Sequence, residues 1–464
     1  MNFIISSGRS KLINTSIPMI TKIWVVSIVL EPLLLFVIAD RHEVGIGLNI
    51  SRILQFVVVS YLFFKLLFRQ SFWISERGLF LFKPYSTFIL YTYTATLCSL
   101  IFGLYPVSSL LSESRDFIEY LNSSEFRPII EAIIIFYQFI YFFILPLLFL
   151  KEKADFDFFF KVLFFFLALH FGLGYIDFIL NLGGFQLIPR HLGDGVQVGL
   201  RWHGIAGEPR DAAIYNMSLF FIIAVYSIYK HGQITKINPV FLFFLVISML
   251  LTFSASFVVG VVIAAGFIIL IYLPGRSLTT IVNYGAVGVV FSTAMFFTIQ
   301  NSPRLVDYYE SYRDFLFYFY QNPHIELPYL IKISFNNVYP MIFLLKDFFQ
   351  NLNFYSLLFG YGIGSSGVVN QDIYGEFYNP NNQFVRIIFE YGIFGSALLI
   401  FGIKLFLKRT CKLLDRKDRN LMLMLTFIMI GGILAHRSNV WMIWLGIFGA
   451  VSVFRHRLNC TRAL

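Results

Sequence analysis

The stretch from Ile237 to Leu273, INPVFLFFLVISMLLTFSASFVVGVVIAAGFIILIYL, runs for 37 residues without a charged side chain. As a single helix it would be about 55 Å long, nearly twice the ~30 Å hydrocarbon core of a bilayer. It therefore reads as two spans joined by a turn near Thr252 to Ser256, where hydroxyl-bearing and small residues gather.

The same arithmetic extends along the chain. Apolar segments long enough to span lie near 17–39, 50–68, 79–104, 128–150, 157–180, 212–229, 280–300 and 384–406. The run from Asn420 to Phe454 is again too long for one span. It carries His436, Arg437, Ser438 and Asn439 at its midpoint, where a buried charge would cost about 2.5 to 3.5 kcal/mol, so the tetrapeptide reads as a loop. The expected fold class is all-α: a polytopic membrane protein of about twelve spans, forming one integral membrane domain over residues 1–464. Composition agrees, with 58% apolar residues, 13% charged residues and a mean hydropathy of +0.73 along 464 residues. A soluble domain of that size has more polar surface to cover it. The first apolar stretch is followed by further spans, and reads as a retained span, not a cleaved leader. Cys98, Cys411 and Cys460 show no paired spacing, so neither a disulfide framework nor a thiolate metal site is expected.

Charge orients the chain. With the N-terminus inside, the inner side takes 23 Lys and Arg against 6 Asp and Glu, and the outer side takes 13 against 20. Lys404 to Arg419, KLFLKRTCKLLDRKDR, supplies seven of the inner cations. The net charge of +10 is thus a topology signal spread over short loops, not a nucleic-acid surface. Two outer segments exceed ordinary turns: 182–211, and the large external loop 301–383 between spans 9 and 10. Of the 13 outer cations 11 are Arg, whose planar fork suits phosphate oxygens, so an anionic ligand on that side is expected.

The densest polar cluster is Pro189 to Asn216, PRHLGDGVQVGLRWHGIAGEPRDAAIYN, which holds Arg190, His191, Asp194, Arg201, His203, Glu208, Arg210 and Asp211. Glu208-Pro209 followed by Asp211 reads as a helix start, with Pro in the first turn and acids near the positive dipole end. His191 and His203 read as loop histidines, and no metal site is expected, because ligand spacing is lacking. In the second loop Tyr308, Tyr309, Tyr312, Phe315, Tyr318 and Phe319 recur at helical spacing and suggest an interfacial amphipathic helix. That loop closes with Leu358-Phe-Gly-Tyr-Gly-Ile-Gly364, then Asn379-Pro-Asn-Asn-Gln383, then Glu390-Tyr-Gly-Ile-Phe-Gly395 inside the next span.

A G-x-G-x-G turn, a polar pair opening a span and an E-x-G-x-x-G within it together resemble the bacterial O-antigen polymerase and O-antigen ligase superfamily. Arg201-x-x-Gly204-x-x-x-Glu208-Pro209 is similar to that family's other external motif, and Leu251-Thr-Phe-Ser254 to its short L-T-x-S turn. The resemblance implies a GT-C-like membrane glycosyltransferase of the bacterial inner membrane, without metal or other cofactor. It implies a polymerase of undecaprenyl-diphosphate-linked oligosaccharide repeats at the outer face, for O-antigen or capsule. The expected partners are that lipid-linked substrate, membrane lipids, a chain-length regulator and a flippase, with no nucleic acid. An O-antigen ligase and a non-enzymatic flippase of the same substrate are the alternatives.

The resemblance also assigns roles. Arg201 and Arg210 would hold the diphosphate, with Arg437 and Arg386 behind them. Glu208 would be the general base, followed by His203 and Asp211, while Asn381 and Asn382 would orient sugar hydroxyls. The family's ligases, and some of its polymerases, carry His-Asn where this chain has Asn381-Asn382, and an amide cannot take up a proton as an imidazole does, so the family's base is absent at that position.

Overall fold

The structure is a computed structural model that describes residues 17–31, 33, 37–39, 48–68, 76–106, 123–185, 187–188, 201–206, 209–234, 239–252, 279, 339–374, 383–434 and 440–462. The expected segments over 253–273 and 280–300, the loop region 301–338 with its aromatic repeat, and Arg190, His191 and Asp194 lie outside the described residues.

Among the described residues the chain is helical apart from a short antiparallel pair, β1 (Val37–Ala39) with β2 (Leu48–Asn49). The helices are α1 (Met19–Leu30), α2 (Ile50–Leu67), α3 (Glu76–Ile101), α4 (Arg127–Phe149), α5 (Lys153–Leu182), α6 (Pro209–His231) and α7 (Pro239–Leu251). They continue with α8 (Tyr339–Gln350), α9 (Phe354–Phe359), α10 (Ser365–Tyr374), α11 (Gln383–Thr410), α12 (Arg416–Leu434) and α13 (Val440–Arg462). Five of them, α2, α4, α5, α6 and α11, are long and apolar enough to cross a membrane. The chain is a helical membrane protein.

Burial separates centre from rim. In α6, 83% of the apolar window is buried, against 17% in α2, whose Phe56, Phe63 and Phe64 are exposed. A helix that is apolar on every face and enclosed by protein is a core helix; one that is apolar and exposed faces lipid. Helix ends fall beside the two expected breaks, whose own residues 253–256 and 435–439 lie outside the described residues. Helix α7 ends at Leu251, and α12 and α13 flank the His436–Asn439 tetrapeptide, ending at Leu434 and starting at Val440. Helix α6 starts at Pro209 with Asp211 in its first turn, as the Pro and acid positions predicted.

An aromatic seam joins α3, α4, α11 and α13. Phe82 lies 4.9 Å from Phe143 and 5.2 Å from Phe406, and Tyr85 lies 4.7 Å from Phe143, ring centre to ring centre. Such pairs add about 0.5–1.5 kcal/mol beyond their area burial. Helix α4 carries a π-turn at Ile140–Ile144, which ends two residues before Pro146. Proline has no N–H for the carbonyl of Phe142 four residues earlier, and the wider turn accommodates that loss. Gly446 of α13 is pressed onto that carbonyl, so a Cβ at 446 would overlap Phe142 O.

This contact generates a paired prediction. Gly446→Ala should destabilise the protein by about 1–3 kcal/mol, as overpacking does. Gly402→Ala, whose Cβ would meet Pro84 at an ordinary 3.6 Å, should leave the melting temperature unchanged. Thermal melts of the detergent-purified variants provide the check, and equal melting temperatures for both would refute the assignment.

Candidate functional site

The polar residues of the sequence motifs assemble into two clusters. The first joins the segment 201–206 to α5, α6 and α7. Arg201 is half-buried, and its Nε donates to Thr252 O at 2.7 Å, while Trp202 N–H donates to Leu251 O at 2.9 Å. Both acceptors lie at the C-terminal end of α7, where carbonyls lack helical partners and a cation is favoured. Trp202 is fully buried against His170, Phe171 and Tyr175, and this anchors the segment. Gly204 has φ +53°, and a Cβ there would strike the His170 ring, so no other residue fits without movement.

Behind this segment runs a hydrogen-bonded chain. Ile205 N–H donates to His170 Nδ1 at 3.2 Å, so His170 Nε2 carries the hydrogen that reaches Asn216 Oδ1 at 3.2 Å. Asn216 Nδ2 then donates to Ser248 Oγ at 2.9 Å, and Ser248 donates to Leu245 O at 2.8 Å. His170 is thus a neutral structural link between α5, α6 and α7. His203 lies in a loop, as expected, but is buried there. Its Nδ1 is 2.9 Å from Gly204 O and its Nε2 is 3.2 Å from Asp177 Oδ2, an ion-pair distance without hydrogen-bond alignment. The other oxygen of Asp177 accepts the amides of Leu187 and Ile188, each at 2.7 Å, so this carboxylate ties α5 to two parts of the segment that follows it, 187–188 and 203.

The second cluster is built on a broken helix. Within α11, Gly392 has φ 71° and ψ 178°, which ends the α-helical hydrogen bonding and releases the carbonyls before it. The G-x-G-x-G turn takes them up: Tyr361 N–H donates to Phe389 O at 2.9 Å and Gly362 N–H to Glu390 O at 3.0 Å. Helix α3 pins the turn from the other side. Ile363 N–H donates to Thr96 Oγ1 at 3.0 Å, and Ser99 and Tyr105 donate to Gly360 O and Ile363 O at 3.0 and 3.1 Å. Tyr91 donates to Leu358 O. Gly360 and Gly392 both have positive φ, and a Cβ on either would collide with the backbone of the other element.

Four charged side chains meet beside this junction. Glu131 holds Arg127 through Oε1 and Arg386 Nη2 through Oε2 at 2.9 Å. Arg386 Nε reaches Glu390 Oε1 at 2.8 Å, and Ser366 Oγ donates to the same oxygen at 2.7 Å. All four are buried, and their formal charges cancel. Arg386, expected as a secondary diphosphate ligand, is therefore gripped by two carboxylates. Glu131 and Glu390 stand out in the sequence as ionisable residues within spans, whereas Arg127 is not among the sequence candidates, although an i,i+4 Arg/Glu pair straddling the first turn of a span is visible there as R-P-I-I-E.

Of the remaining candidates, Glu208, Asn381, Asn382 and Arg437 lie outside the described residues, and Arg210 is described only as backbone of the first turn of α6. The motif pairs Arg201 with the L-T-x-S turn and the glycine turn with the E-x-G-x-x-G kink; the two clusters use different helices apart from their common bundle. Among the described residues no three His, Cys, Asp or Glu side chains come together as metal ligands. Compared with protein-family models, characterised proteins and solved structures, the chain has no match.

The buried quartet makes a stability prediction. Glu131→Ala leaves two guanidinium groups short of a carboxylate and should cost about 3–5 kcal/mol. The double variant Arg127→Met/Glu131→Leu removes one cation and one anion, leaves the Arg386–Glu390 pair intact, and should recover most of that loss. Thermal unfolding of the two variants tests this. A double variant less stable than Glu131→Ala would mean that the ion pairing is not what the four residues contribute.

Proposed function

We propose that the chain is a polymerase of undecaprenyl-diphosphate-linked oligosaccharide repeats, with about twelve spans, acting at the outer face of the bacterial inner membrane. One observation supports this above the rest. The motifs that carry the resemblance, far apart in sequence, are bonded to one another in pairs: Arg201 to Thr252, and the Gly360–Gly364 turn to the backbone before Gly392.

In this reading an acceptor hydroxyl oxygen attacks the anomeric carbon of the donor glycan, the carbon–oxygen bond to the diphosphate breaks, and the diphosphate leaves with its electron pair. Arg201 and Arg210 bind the departing charge, a task suited to fixed guanidinium groups in a site partly shielded from water. Glu208 takes the hydroxyl proton, with His203 and Asp211 as further candidates, and Asn381 and Asn382 orient the sugars. Arg437 stands as a further phosphate ligand. Arg386 takes a positioning role in this scheme because Glu131 and Glu390 already occupy its guanidinium. Fixing Trp202 in a rigid aromatic pocket sets the height of Arg201, and preorganisation of that kind favours charge stabilisation.

Arg201→Ala should lower polymerisation about 10²- to 10³-fold, the usual effect of losing one well-placed donor. On a gel of surface glycan, the variant should accumulate in the membrane normally and leave cells with core carrying a single repeat. Long-chain glycan at normal levels would remove Arg201 from the mechanism, and bare core in a deletion strain would indicate a ligase. A flippase is the second reading, because the buried quartet puts four ionised side chains inside the helical bundle, as transporters do. Its signature would be lipid-linked repeats trapped on the inner leaflet of the deletion strain.

A further inference from the structure

His203 lies between two oxygen acceptors supplied by different parts of the fold. Its Nδ1 is 2.9 Å from Gly204 O, in its own segment, and its Nε2 is 3.2 Å from Asp177 Oδ2, on α5. A carbonyl oxygen only accepts, so Nδ1 carries a hydrogen. A neutral ring with its hydrogen there would leave an electron-rich Nε2 beside a carboxylate, a repulsive contact that a second hydrogen converts into an ion pair. The two side chains are 1% and 3% exposed, so solvent screens neither the repulsion nor the attraction.

The surroundings place the charge on this ring. The other oxygen of Asp177 is filled by the amides of Leu187 and Ile188, which is the bonding of an ionised carboxylate, and a buried carboxylate requires a cation. His170, the neighbouring imidazole, accepts Ile205 N–H through Nδ1 and donates to Asn216 through Nε2, so it carries one hydrogen and no charge. Arg201 Nε is directed to Thr252 O. The remaining titratable groups on the packed elements are Tyr175 of α5 and Asp211 and Tyr215 of α6, while α7 meets the segment through the carbonyl of Leu251. Arg201 and Asp211 are of opposite sign, which leaves Asp177 to decide the state of the ring.

We propose that His203 and Asp177 form a buried imidazolium–carboxylate pair that clamps the segment carrying Arg201 onto α5. The pair itself stands whatever the chain's activity. Its catalytic meaning rests on the polymerase reading, in which a ring that already holds both hydrogens cannot take a proton from the acceptor hydroxyl, so that the carboxylates Glu208 and Asp211 are left as bases. Ring ¹⁵N spectra of the histidine-labelled full chain in detergent test the pair, with the His203 signals identified by their loss in His203→Gln. At about pH 7.5, one unit above the ordinary imidazole midpoint of ~6.5, both nitrogens of His203 should be protonated. Absence of any imidazolium signal among the eight histidines of the wild-type chain at that pH would overturn the proposal without recourse to a variant. Asp177→Asn, which keeps the side-chain shape and removes the charge, should turn the ring neutral there, and a ring that stays charged in this variant would also overturn it. Polymerisation in vesicles should lack an acid limb near the ordinary imidazole midpoint, because the ring is charged on both sides of it. Such a limb together with a neutral ring would restore His203 as the base. A chain that polymerises nothing while its ring is charged would refute the polymerase reading and uphold the pair.

Discussion

Where α11 breaks at Gly392, the carbonyl oxygens of Phe389 and Glu390 lose their helical partners in a place that water does not reach. An unsatisfied backbone group in that setting costs several kcal/mol, so the break is tolerable only if another segment supplies donors. The amides of Tyr361 and Gly362 do so, and the turn that carries them is in turn bonded to Thr96, Ser99 and Tyr105 of α3 and the residues that follow it. Helices α3, α9 and α11 are thereby one unit. The spacing of the glycines follows from the same need, because the turn must approach the kink closely enough to hydrogen-bond backbone to backbone, and side chains at 360 or 392 would hold it off.

The charge quartet joins that unit to α4. Arg127 and Glu131 come from the first turn and a half of α4, while Arg386 and Glu390 come from the part of α11 before its break. Glu131 is shared by both guanidinium groups and Glu390 pairs with Arg386, and the alternation of sign along Arg127, Glu131, Arg386 and Glu390 lets four desolvated groups coexist with no net charge. Burying such a set contributes little net stability compared with an apolar core. Its value lies in specifying which face of α4 meets which face of α11, since a rotation of either helix would leave charges unmatched.

Local signals in the sequence carried much of this architecture. The length of the Ile237–Leu273 run forces a stop that α7 makes at Leu251, Pro209 and Asp211 mark the start of α6, and the basic stretch after Lys404 separates α11 from α12. Each of these rests on a few neighbouring residues and on the thickness of a bilayer. The pairing of distant elements was not legible. In lipid every helix face is apolar, so hydropathy does not say that α4 lies against α11. His203 illustrates the same limit: its neighbours in sequence suggest a loop, and only the return of the chain past Asp177 encloses it. The π-turn before Pro146 was also invisible, because its room comes from Gly446, some three hundred positions later in the chain.

The way Thr96 and Ser99 are used bears on biosynthesis. Each hydroxyl also bonds back into its own helix, Thr96 to Thr92 O at 2.8 Å and Ser99 to Ala95 O at 2.9 Å. Helix α3 leaves the ribosome long before the glycine turn exists, and these internal bonds let it rest among lipids with its hydroxyl hydrogens occupied. When the later segment arrives, Thr96 accepts Ile363 N–H without giving up its own bond, whereas Ser99 must share its single hydrogen between Ala95 O and Gly360 O, so Thr96 is the part of the docking surface prepared in advance.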